Sequence, residues 1–211
     1  QSLKFTVSLF FYQNFLIMFF CILNVQHNLV LGILNMAVIQ VYNCPKDMLG
    51  KLIREGRRTW LSQDLKEKSD HFFNFCVTSV SIRDWCISYL GLIDPHKGDF
   101  YKEHSNNQWL NYCASIANSS KHLKLHTDRI EHITSVDGQA SEHILIDSNG
   151  NPIKNSNNER LTFKIETKDG DALELMSFLG NVVDSWEEIF EKYGMKISEE
   201  NLKVLMFVEY M

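Results

Sequence analysis

The sequence has no glycine-rich phosphate loop, no His-Glu-x-x-His, no Gly-x-Ser-x-Gly and no EF-hand spacing. These absences argue against the common nucleotide-hydrolysing, zinc-protease and serine-hydrolase chemistries. Positive charge is also scarce. A net charge of -5 and a pI near 5.9 argue against a broad nucleic-acid-binding face and confine any RNA contact to a local patch. The five cysteines are odd in number and include no Cys-x-x-Cys pair, and most fall in apolar helical patterns. They read as reduced, buried thiols in a reducing compartment rather than as disulfides or thiolate ligands.

Charge is nearly missing from residues 1–44, where Lys4 stands alone. Phe5–Leu23 is about long enough to span a bilayer, and Asn28–Tyr42 is a second, shorter apolar run. Lys46, Lys51, Arg54, Arg57 and Arg58 follow closely, which by the positive-inside tendency leaves the rest of the chain cytoplasmic. A secretory signal is not indicated, because no basic cluster precedes the apolar run and no small-residue cleavage site follows it. Three readings stay open for this segment. It is a membrane anchor through residues 5–42, an extension outside the natural folded unit with Met36 or Met48 as the start, or a hairpin or helix packed on the domain.

What remains, residues 45–211, is large enough for one domain with a sizeable core; 45% of the whole chain is hydrophobic. Pro45 and Asp47 suit the opening of a helix that carries Leu49, Leu52, Ile53 and Trp60. Asp70 is expected to cap a second helix of about twenty residues, with Phe72, Phe75, Cys76, Ile82 and Cys86 on one face. Gly91, Pro95, Gly98 and the Ser105-Asn-Asn run are expected to form a mobile polar loop. A third helix then runs from Trp109 to Leu125. The alternation of Leu161 to Thr167 and the His143-to-Ile153 stretch predict a small antiparallel insertion of two or three strands around residues 140–168. Asp171 is expected to cap a fourth helix, Ala172 to Tyr193, and Leu202 to Tyr210 a short last one. The predicted fold class is mainly α, a four-helix-bundle-like core with a small antiparallel β insertion.

The candidate site residues are polar positions inside these apolar helices. Asn118, Lys121 and His122 fall three and four residues apart and share a face. His122 titrates near neutral pH and Lys121 could stabilise charge on a phosphate, although both residue types also settle at helix ends to meet exposed carbonyls. Arg83 and Asp84 form a second candidate cluster, able to orient a partner group or bind phosphate, or simply to join helices. Asn74 lies nearly three turns earlier and, if buried, would need a partner that fixes helix register. His122, His126 and His132 have partial metal-pair spacing, but with no Glu or Cys placed nearby no metal or other cofactor is expected.

Ile116-Ala-Asn-Ser-Ser-Lys-His-Leu, Asp70-His-Phe-Phe-Asn-Phe-Cys-Val-Thr and the helix bearing Trp186 together resemble uncharacterised bacterial and phage proteins related to the HEPN superfamily. The resemblance covers roughly Met48 to Tyr193. It implies a four-helix bundle, often dimeric, of a kind found as metal-independent ribonucleases in toxin–antitoxin and phage-defence systems. Active members carry an Arg, four to six residues and then a His, with a polar residue after the Arg. His122 matches the His and Asn118 the polar residue, while the Arg position is Ala117 and its neighbours are Ser115 and Ile116. The missing Arg favours a non-catalytic binding or regulatory module for RNA or a nucleotide, homodimeric by the same resemblance. The alternative is an endoribonuclease in which His122 moves the proton and Lys121 or Arg83 supplies the cation.

Overall fold

A computed structural model of the chain describes residues 38–119, 132–143, 147, 149–153, 158–197 and 203–208. The chain divides after Asn43, and the unit that follows is Cys44–Met211. Its described part is mainly helical, with five α-helices and one small antiparallel sheet. Helix α1 is Pro45–Leu61, α2 Leu65–Tyr89, α3 His96–Asn106 and α4 Gln108–Ser119. Strands β1 (Ile133–His143), β2 (Asn158–Thr167) and β3 (Ala172–Glu174) come next, then α5 (Leu175–Lys192) and a 3-10 turn at Lys203–Met206.

Helix α1 opens as expected. Pro45 needs no amide partner at the first turn, and the Asp47 carboxylate accepts from the Cys44 backbone N–H at 3.1 Å. Its apolar stripe, Leu49, Leu52, Ile53 and Trp60, is buried. Gly56 is required by close approach, because a Cβ there would lie 2.5 Å from the Met206 sulfur and 3.2 Å from the Phe75 ring.

Helix α2 starts earlier than the sequence pattern suggests. Asp64, not Asp70, is the cap, and its carboxylate accepts from the Glu67 N–H at 2.9 Å. That adds more than a turn, for a length of 25 residues. The extra turn carries Lys68, which is fully buried. Its ammonium donates to the Thr59 carbonyl at 2.5 Å and the Trp60 carbonyl at 3.3 Å, two of the last-turn acceptors that α1 cannot satisfy itself. Arg160 on β2 donates to the same Trp60 carbonyl at 2.7 Å, and its guanidinium lies 4.7 Å from the Trp60 ring centroid. Burial first, and the Arg160 charge second, bring the Lys68 pKa down to about 8. Two cations thus finish one helix and bind the sheet to it.

The expected mobile loop contains helix α3. Phe100 and His104, four residues apart, form its buried face, while most of the rest is polar. Lys192 at the end of α5 and the hydroxyl of Tyr193 just after it both donate to the Glu103 carboxylate, at 2.6 and 2.9 Å, and tie α3 down. Asn107 then caps α4, its side-chain oxygen accepting from the Trp109 and Leu110 N–H groups.

The sheet order is β1-β2-β3, all antiparallel, with Val136 opposite Ile165 and Gly138 opposite Phe163. The strands occupy a wider span than residues 140–168. Ile133 to His143 is already strand, and Ala172–Glu174 pairs with β2 instead of opening a helix. Glu174 therefore stands at the N-cap of α5, not Asp171, which donates its N–H to Thr167 Oγ1. Phe163 and Ile165 face inward, and the Phe72 ring on α2 touches both Phe163 and Phe178 on α5, each at 5.3 Å between centroids. Trp186 lies at the middle of the core, fully buried, and donates to Ser79 Oγ at 2.9 Å. The last described segment is held by Arg57, which donates to the carbonyls of Leu205 and Val208.

Cys76, Cys86 and Cys113 are free and buried, and Cys76 meets Cys113 across α2 and α4. Among the described residues no helix is long and apolar enough to cross a membrane. Most of the apolar stretch through residues 5–42, Cys21 included, lies outside them.

Candidate functional site

Helices α2 and α4 run antiparallel. Phe73 and Ser119 border one cleft, and Cys76 reaches Cys113 one turn further in. The polar residues singled out in the sequence are spread along this pair. Asn74 is exposed, so it fixes no buried register. Arg83 and Asp84 bond to each other at 3.0 Å, and the Arg83 guanidinium lies 5.0 Å from the Tyr101 ring centroid on α3. Asn118 is half-buried in the last turn of α4. Arg83 is ten residues past Phe73, which at 1.5 Å rise per residue is about 15 Å along α2 from the end where Asn118 lies. Arg83 and Asp84 therefore do not join Asn118. His122, Lys121 and His126 lie outside the described residues. His132 is beside Tyr112, with its backbone N–H donating to Ser115 Oγ at 3.1 Å. No group of three metal-ligating side chains occurs among the described residues.

What does converge at the Asn118 end is a cleft of about 310 Å³. One wall is the first half of α2, with Ser69, Phe72 and Phe73, and the other is the end of α4, with Ile116 and Ser119. Its third side is the start of β1, Ile133 to Val136, and Phe163 reaches it from β2. Ser69, Ser119, Thr134 and Ser135 supply hydroxyls, the aromatic rings supply apolar surface, and no described lining residue ionises. A volume of about 310 Å³ lies at the lower end of the roughly 300–1,000 Å³ range of ligand sites. A cleft so lined can bind; it holds no described group that could carry a proton between reactants.

Two other places carry perturbed groups. A wider, open groove of about 550 Å³ between α3 and the end of α5 is lined by Asp99, Lys102, Glu103, Lys192 and Tyr193. Glu103 already accepts from Lys192 and Tyr193, and burial followed by the Glu103 contact pushes the Tyr193 hydroxyl up to about 12. The groove is thus a structural tie between α3 and α5. The second place is His104, 2% exposed, whose ring lies 5.5 Å from that of Trp186 and whose Nε2 has no hydrogen-bond partner among the described residues. Burial, then the Arg83 charge, lowers its pKa to about 4 against a smaller opposing pull from Asp84. His104 is hard to see in the sequence because it sits among the Gly, Ser and Asn residues of a loop-like stretch. The four-residue spacing from Phe100 was the available signal.

The chain matches no family model, no curated protein and no solved structure.

Proposed function

We propose that this chain is a non-catalytic binding module, a HEPN-like helical bundle with a sheet attached, whose ligand enters the cleft between α2, α4 and β1. The observation that carries the reading is the cleft itself: about 310 Å³, apolar at its base, edged with hydroxyls, and without an ionisable group among its described lining. The HEPN resemblance supports it from the sequence side. The position of the family's catalytic Arg is Ala117, which is buried in α4 next to the cleft-lining Ile116. Arg83, one of the two cations that the ribonuclease alternative calls on, is engaged with Asp84 and Tyr101 about 15 Å away along α2. RNA or a nucleotide is the ligand class that the resemblance brings, with aromatic rings and hydroxyls as its means of recognition.

The reading is tested by filling the cleft. Ser69 is exposed on the wall of α2, where its hydroxyl donates to the Leu65 carbonyl of its own helix. Ser69→Trp adds an indole to the cleft without disturbing the core. Titration of the full chain with a single-stranded RNA dodecamer and with mononucleotides, followed by tryptophan fluorescence or calorimetry, is expected to show binding that weakens at least tenfold in Ser69→Trp. Binding that is equal in both proteins would place the ligand elsewhere and overturn the cleft as the site.

A further inference from the structure

Every hydroxyl that lines the cleft is engaged as a donor, and each donates to a group that only accepts. Ser69 Oγ donates to the Leu65 carbonyl at 2.7 Å and Ser119 Oγ to the Ile116 carbonyl at 2.8 Å, each within its own helix. On β1, Thr134 Oγ1 donates to the Glu166 carbonyl and Ser135 Oγ to the Glu166 carboxylate, both at 3.2 Å. The pairing register shifts between Ile133 and Ser135 and leaves Thr134 over, so two neighbours on one strand reach the same residue of β2. Hydrogen bonds from Lys164 first and Ser135 second hold the Glu166 carboxyl below its usual range, which keeps it an acceptor at neutral pH.

A hydroxyl carries one proton and two lone pairs. With the proton engaged inside the protein, each of these oxygens has only lone pairs to offer a ligand. The other described lining side chains are aromatic or aliphatic and carry no N–H or O–H. In its side chains the cleft is therefore a set of acceptors around aromatic rings, with Phe72 and Phe163 buried and Phe73 half-buried. A phosphate brings acceptors alone and meets no cation among these side chains. Turning a hydroxyl over to face a ligand acceptor would forfeit its bond to the helix or strand.

What fits is a flat, uncharged ring with N–H groups along one edge. Guanine has the longest such row among the bases, because its N1–H and both hydrogens of its 2-amino group are adjacent. Adenine and cytosine set a ring acceptor beside the amino group, and uracil flanks its N–H with carbonyls. We propose that the cleft receives an unpaired guanine, which lies against Phe73 and donates from N1–H and the 2-amino group to the hydroxyl oxygens, its sugar and phosphate staying outside. This inference rests on the reading of the cleft as a site for RNA or a nucleotide and names the base that it selects.

The probes are single-stranded RNA dodecamers of uridine in which one central residue is guanosine, inosine or uridine, titrated calorimetrically into the full chain. Inosine keeps the purine ring and its acceptors and lacks only the 2-amino group, so it separates hydrogen bonding from stacking. The guanosine dodecamer is expected to bind at least tenfold tighter than the uridine one and severalfold tighter than the inosine one. Ser69→Ala/Ser119→Ala removes two acceptors at helical positions that alanine suits, with folding verified by circular dichroism. In this variant the gap between guanosine and inosine is expected to narrow severalfold. Equal binding of guanosine and inosine, tighter binding of uridine, or a guanosine preference that the double variant leaves intact would overturn the proposal. If the three dodecamers bind alike and all weaken with Ser69→Trp, the guanine selectivity falls and the binding module stands. If none binds, both fall.

Discussion

Trp186→Ala is expected to lower the free energy of unfolding by about 3–5 kcal/mol, the range for deleting a large buried aromatic. Trp186 is 0% exposed and packs beside His104 and Phe190, at 5.5 and 6.5 Å between ring centroids. Its Nε1–H is the donor to Ser79 Oγ, so truncation removes a hydrogen bond between α5 and α2 as well as most of the buried side chain. Total stabilities are about 5–15 kcal/mol, which makes this one substitution a large fraction of the whole. Trp186→Phe keeps much of the volume and loses the donor, and its cost is expected to be smaller, about 1–3 kcal/mol for the orphaned hydroxyl and the trimmed ring. Urea denaturation of the two variants checks both figures. A Trp186→Ala loss under 1 kcal/mol would mean that the core is not organised around this residue.

The second large effect is acid sensitivity at His104. Its pKa is about 4 in the folded protein against 6.5 for the free side chain. Between those values the unfolded chain binds a proton that the folded chain does not, so stability falls as pH drops from about 6.5 toward 4 and levels off below. Each pH unit of that separation is worth about 1.4 kcal/mol, which gives about 3 kcal/mol across the window. Burial is the main cause, and Arg83 adds to it while Asp84 opposes it. His104→Phe places an apolar ring beside Trp186 and removes a buried nitrogen that has no hydrogen-bond partner among the described residues. The variant is expected to match the parent at pH 7 and to exceed it by about 3 kcal/mol at pH 4. Equal pH profiles for the two proteins would show that His104 is not held neutral by its surroundings.

The helices that carry long apolar stripes were legible in the sequence. Leu49, Leu52 and Ile53 in α1, and Leu179, Val183, Trp186 and Phe190 in α5, repeat at helical spacing and are buried. Helix α3 was hidden because only Phe100 and His104 face inward, too few to outweigh the Gly, Ser and Asn around them. The start of α2 was misplaced although Asp64-Leu-Lys-Glu67 carries the spacing of a capping box; Asp70 stood nearer the aromatic run and drew the boundary to itself. Ala172 and Leu173 fit a helical stripe and a strand equally well. Pairing of Leu173 with Ile165 decided for the strand, and no local signal could have done so.

The candidate site was legible only in part. Arg83 and Asp84, adjacent in sequence, do contact each other. The cleft is built from residues near 69–73, 116–119, 133–136 and 163, brought together by the antiparallel run of α2 against α4 and by the path of β1 past both. No motif spans those distances. Asn74, which the sequence left conditional on burial, points instead to solvent.

Cleavage of a mixed RNA pool in the presence of chelator by the full chain, compared with His122→Ala at equal folded concentration, tests most directly whether this protein binds without turning over. No cleavage by either protein above a buffer control is expected. Cleavage by the parent that His122→Ala abolishes would contradict it, establish a metal-independent ribonuclease, and direct the search for its cation to Lys121 and Arg83.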